Sequence, residues 1–335
     1  MASADTDILS THSSVRAPFD DVDATVICRS SDGVDFHLYK NILAKASPVF
    51  AGMFALPSIP EHPSSLQIVT LTEDADTLEI LFRLCYPIKR PVIRGLGPLL
   101  AALEALRKYE MTDLTSYLEQ ALHGLLDHGL EPLRAYAIAY LYSLPDLART
   151  SAKLLDGPRP LEPSTMPPEF RVIPASALFA VIDYRRECIR AATAQVDDIK
   201  WMLYGDHPKK VPEATPFRGR AYDQSWVWIS CNDASHGRET IKVDGNSVVI
   251  NPWIRTYLAD AKKAVETHPR GASVTTISVM TSALKIAPSS CTSCARVAWM
   301  DLLLYGELLA QRIDAAVSEA RYNSTFLSDC TSWLF

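Results

Sequence analysis

The stretch Ala24-Thr-Val-Ile-Cys-Arg29, Ser30-Ser-Asp-Gly33, Val34-Asp-Phe-His-Leu38 decides the fold of the N-terminal third. Its first run is short and β-branched, which suits a strand. Asp32-Gly33 is a hairpin signal, because the turn needs residues that accept positive φ. Val34 to Leu38 then forms the returning strand. From Lys40 the period changes. Leu43, Ser47 and Phe50 recur at helical spacing, and Pro48 opens a second short helix. Residues 55–65 hold three prolines and form a loop. Leu66 to Leu71 alternates as a third strand. A helix over about Asp74 to Cys85 carries Leu78, Leu81, Phe82 and Cys85 on one face, and Tyr86-Pro87 ends it.

Beyond this point the chain reads as helical. Leu99, Leu103, Leu106 and Tyr109 line one helix, and Leu114, Leu118, Leu122 and Leu125 the next. Glu131 to Leu155 is split into a helix pair by Pro145. Residues 157–174 contain six prolines and mark an extended loop or subdomain boundary. Helices are expected again over Ser176–Ala194, from Asn251-Pro252 onward, around Ile277–Leu284, and over Ala295–Ala320. The expected division is a disordered tail over 1–17, an α+β domain over 18–127, and a mostly helical domain over 128–335 with Pro-rich loops near 157–174 and 204–222.

Composition sets the class. The chain has 335 residues, 48% hydrophobic and 21% charged, with a net charge of −6. That apolar content can offset the ordering entropy of a folded chain. The negative balance argues against nucleic acid as a partner. No apolar run reaches the ~18 residues of a membrane span. The polar start of the chain lacks the apolar core of a secretion signal. Seven cysteines without such a signal read as reduced thiols, which places the protein in the cytoplasm or nucleus.

The N-terminal stretches together resemble the BTB/POZ domain. The residues carrying this are Asp21-Val-Asp23-Ala-Thr-Val26, Phe36-His-Leu-Tyr-Lys40, Ile42-Leu43, Ser47-Pro-Val-Phe50, Met53-Phe54, Val69-Thr-Leu71, Leu84-Cys-Tyr86 and Ala105-Leu-Arg-Lys-Tyr109-Glu-Met111. Tyr39 stands where many members carry His. The remainder is similar to the C-terminal region of large fungal BTB families, through Pro132-Leu-Arg-Ala-Tyr-Ala-Ile138, Ile182-Asp-Tyr-Arg-Arg-Glu-Cys188 and Cys291-Thr-Ser-Cys294.

The resemblance implies a small three-stranded sheet capped by helices, and a protein-interaction module that commonly homodimerises. It implies a buried Asp23–Lys40 pair beneath the dimer groove, the other reading being two solvated surface charges. It also implies partners of two kinds, cullin-type ubiquitin ligase scaffolds or transcriptional corepressors. Ile59-Pro-Glu61 has the hydrophobic-x-Glu form of some scaffold-binding adaptors, one residue out of step.

Chemistry-bearing patterns are few. There is no Gly-x-Ser-x-Gly elbow, no His-Glu-x-x-His helix and no phosphate-binding glycine loop, so no catalytic residue is expected and the chain is read as a non-enzyme. Cys291-Thr-Ser-Cys294 is the one close cysteine pair. With Cys231 and His236 it could complete a tetrahedral zinc set, while inert or redox-active thiols are the other readings. The fungal resemblance implies a second Cys-x-x-Cys pair in this region, whose second cysteine stands here as Ala234. A metal or thiol enzyme built on this cluster is the competing functional class. Trp226, Trp228 and Trp253 flank Cys231 and offer either an aromatic groove or core packing. Lys209 to Arg220 is a thin basic stretch, read as a solvated loop.

Overall fold

A computed structural model describes residues 18–56, 66–155, 166–202, 226–231, 233, 237, 239–243 and 245–323. The expected tail over 1–17, most of the proline loop at 55–65 and all of the 204–222 segment lie outside these residues. The chain divides into two compact units, Met1–Leu147 and Ala148–Phe335.

Unit 1 is built on three short strands, β1 (Val26–Arg29), β2 (Asp35–Leu38) and β3 (Gln67–Thr70). Their order is β2-β1-β3, with β1 antiparallel to β2 and parallel to β3. The turn between β1 and β2 is closed by Ser30, whose Oγ accepts from the Val34 amide at 2.8 Å. Gly33 sits there at φ +86°, a conformation that other residues adopt only with strain. Directly opposite each other, Arg29 and Asp35 form a two-pronged ion pair at 2.6 and 2.9 Å.

Helices α1 (Lys40–Ala46) and α2 (Pro48–Ala55) follow as the change of period predicts. Ser47 separates them. Its extended backbone ends α1, and its Oγ caps α2 by accepting from the Phe50 amide at 3.0 Å. The same hydroxyl donates to the Tyr109 carbonyl at 2.6 Å. The remaining helices of the unit are α3 (Ala75–Cys85), α4 (Leu96–Lys108), α5 (Thr115–Asp127), α6 (Pro132–Leu141) and α7 (Pro145–Leu154), in whose first turn the unit ends. Asp74 caps α3 by accepting from Thr77 N–H at 2.9 Å.

The core between sheet and helices is aromatic. Phe19, Phe36, Phe82 and Tyr86 meet edge to face, with centroids 5.2–6.0 Å apart. Such contacts add about 0.5–1.5 kcal/mol each beyond the area they bury. Phe50 stacks on Tyr109 at 4.6 Å.

Unit 2 packs α8 (Ala175–Asp197), α10 (Pro252–Thr267), α11 (Ile277–Ser290) and α12 (Thr292–Asn323) around a second core, joined by the short α9 (Val227–Ser230). On α12 the buried residues Cys294, Ala298, Leu302, Tyr305, Leu309, Ile313 and Val317 recur every three or four positions. Ala177, Val181, Tyr184, Cys188, Ala192 and Val196 do the same on α8, and the two stripes face each other. An antiparallel hairpin, β4 (Glu239–Val243) and β5 (Asn246–Ile250), interrupts the helices. The hairpin departs from the helical expectation for this stretch.

Candidate functional site

Two places hold the residues singled out in the sequence. The first is the end of the unit 1 sheet. Asp23 does not begin a strand: it lies exposed in a turn, and β1 starts at Val26. Its backbone amide donates to Asp21 Oδ1 at 3.0 Å. Lys40, half-buried at the start of α1, turns instead to β3, where its ammonium donates to Gln67 Oε1 at 2.6 Å. It also lies 5.7 Å above the Phe54 ring. The expected Asp23–Lys40 ion pair is therefore absent within this chain. The Lys40 backbone amide donates to Thr25 Oγ1 at 2.8 Å, while its ammonium goes to Gln67, which parallel pairing places opposite Val26.

Tyr39, the departure from the family pattern, finds its own partner. Its phenol donates to Asp21 Oδ2, and this hydrogen bond, ahead of the Asp23 amide, holds the Asp21 carboxyl below its ordinary range. Its backbone amide donates to Tyr86 Oη at 2.8 Å.

Beside this edge, α2 reads Pro-Val-Phe-Ala-Gly-Met-Phe-Ala, without a charge, and buries only Phe50. Val49, Met53 and Phe54 are half-buried, and Leu56 just past the helix is 68% exposed. Uncharged apolar surface left in water is unusual unless it has a partner. Ile59 and Glu61 follow at once in sequence and lie outside the described residues.

The second place is in unit 2. Cys231 ends α9, and Cys291 is the single extended residue between α11 and α12 (φ −168°, ψ 166°). Cys294 lies on the first turn of α12. The sulfurs of all three lie within 4.8 Å of one another. Cys231 Sγ and Cys291 Sγ are 3.5 Å apart, and no disulfide forms among the described cysteines. The Cys294 amide donates to Cys291 Sγ at 3.2 Å, and Asn251 Nδ2 donates to Cys294 Sγ at 3.6 Å. Asn251 precedes α10 as the sequence predicts, yet its buried side chain makes no cap and reaches this sulfur and the Val227 carbonyl instead. Burial first, then the neighbouring cysteines, push the Cys294 thiol up to about 12. His236 lies outside the described residues.

The tryptophans settle as core. Trp226, Trp228 and Trp253 are each 1% exposed. Trp226 stacks on Trp228 at 4.8 Å, Trp253 meets Trp228 edge-on, and Tyr305 closes the cluster from α12. No aromatic groove is open there. Among the described residues, no helix is long and apolar enough to cross a membrane.

A family model described as the BTB/POZ domain matches residues 14–125. No curated protein matches the chain.

Proposed function

The chain carries a BTB/POZ domain, a protein-interaction module, and from that premise we propose that it acts as a homodimeric adaptor or scaffold. The observation that carries this reading is the apolar, uncharged α2 with Leu56 beside it. A second copy offering the same face would bury that surface isologously, as most homodimers do. Lys40 stands beside this face, over the Phe54 ring, and Asp23 is exposed. There a carboxylate and an ammonium from facing copies would fix register more than add stability. Unit 2 then presents the surface that selects a client protein.

The test is the mass of the full chain in solution. Sedimentation should give twice 37.0 kDa at micromolar concentration, and Leu56→Asp should return it to one chain. A wild-type mass of one chain at every concentration overturns self-association.

Ile59-Pro-Glu61 gives the adaptor a finer reading, with a cullin-type ubiquitin ligase scaffold as its partner. Co-purification of a cullin that is lost in Glu61→Lys supports it. Corepressors in place of a cullin would make the chain a transcriptional regulator acting through partners.

A further inference from the structure

We propose that Cys231, Cys291 and Cys294 hold a structural zinc ion as thiolates. The inference does not depend on self-association, because all three residues belong to unit 2.

Convergence is the first argument. Cys231 and Cys291 are 60 positions apart in the chain, yet their sulfurs stand at 3.5 Å. A covalent disulfide would put them at about 2.05 Å. Two sulfurs bound tetrahedrally to one zinc at about 2.3 Å are separated by roughly 3.8 Å. The observed spacing excludes a disulfide and is within a few tenths of an ångström of the second arrangement, and Cys294 lies within the same 4.8 Å envelope.

The donors around the sulfurs are the second argument. A thiolate needs hydrogen-bond donors or positive charge, and a buried thiol needs neither. Cys291 receives the Cys294 amide, and Cys294 receives the Asn251 amide side chain. Both sulfurs also sit at the start of a 32-residue helix, where the backbone N–H groups point outward from the first turn. Three thiolates and Zn²⁺ leave one net negative charge, which these donors face.

Binding is ligand exchange. Zn²⁺ forms a bond to each sulfur, each thiol proton leaves to solvent, and no electrons move. The three sulfurs fill three of four tetrahedral positions, and the fourth takes another donor. The ion would tie the end of α9 to the break between α11 and α12. That is a staple on the aromatic core.

The experiment uses the full chain purified under reducing conditions. Metal analysis after gel filtration should find one zinc per chain. Replacement by Co²⁺ should give intense visible bands of a tetrahedral ion with sulfur-to-cobalt charge transfer. Cys291→Ser and Cys294→Ser should weaken binding beyond the roughly 10–100-fold that loss of an outer hydrogen-bond partner brings. Cys85→Ser, in unit 1, should leave it unchanged. Wild-type protein that retains no zinc and gives no charge-transfer band with Co²⁺ overturns the proposal. So does a Cys231–Cys291 disulfide in protein isolated from cells with thiols blocked. Both readings use the unaltered chain, so a variant that fails to fold does not blunt them.

Discussion

The ammonium of Lys40 is bound at 2.6 Å to the side-chain oxygen of Gln67, which ties the first residue of α1 to the first residue of β3. The hydrogen bond of Asp23 is made by its backbone amide, to Asp21. The two residues should therefore separate stability from association. Asp23→Ala should leave the urea midpoint of unit 1 unchanged and raise the dissociation constant of the dimer. Gln67→Ala should lower the midpoint. Far-UV dichroism in urea and sedimentation at two concentrations check both.

Glu73 makes unit 1 acid-sensitive. Burial works against its charge, but hydrogen bonds from Lys108 and from the Tyr109 phenol, both at 2.6 Å, outweigh it and hold its carboxyl below the ordinary value. A lowered folded pKa means the stabilisation is complete above the unfolded value of about 4.3 and fades as pH falls through the lower folded one. Tyr109→Phe removes one donor. It should lower stability at pH 7 by about 1–3 kcal/mol and flatten the loss between pH 5 and 3. Urea titrations at several pH values measure this.

All six tryptophans lie at or beyond position 201, so their fluorescence reports unit 2 alone. Gly271 provides a test with that signal. A Cβ there would stand 2.3 Å from the Ala310 carbonyl oxygen, and the Gly271 amide donates to Asp314 at 2.7 Å. Backbone cannot yield as a side-chain tip can. Gly271→Ala should cost at least about 1–3 kcal/mol in the tryptophan-monitored transition and leave unit 1 unaffected.

Asp301 is 4% exposed and accepts the Val227 amide at 2.7 Å, which anchors the start of α9 to α12. Asp301→Ala would leave that amide buried without this acceptor. The expected loss is about 1–3 kcal/mol in the same transition. Asp301→Asn keeps an oxygen acceptor and should lose less.

Local chemistry made much of unit 1 legible. Asp32-Gly33 announced the hairpin, Ser47-Pro48 the break between α1 and α2, and Pro145 the split between α6 and α7. Each is a signal confined to neighbouring residues. In unit 2, Thr240-Ile-Lys-Val243, Asp244-Gly245 and Val248-Val-Ile250 carry an equally local hairpin signal, which competes with the strong helix start at Pro252. Other features lay beyond sequence spacing. Ligand chemistry grouped Cys231 with Cys291 and Cys294, and the structure brings the three together, but the interval between Cys231 and Cys291 does not set their distance, since that loop is closed by tertiary packing. Nor does proximity to β1 reveal that Lys40 chooses Gln67, because that follows from the parallel pairing of β3.

The seam between the two units runs through α7, after Leu147 of a helix spanning Pro145–Leu154. A gene cut at that point would leave fragments of three and seven helical residues, both far below the roughly 12–15 that a free helix needs. A cut after Leu155 would keep the helix whole, but it would strand the buried Ala148, Ala152 and Leu155 on the wrong fragment. The halves are thus not interchangeable cassettes. Truncation at either joint should yield insoluble products.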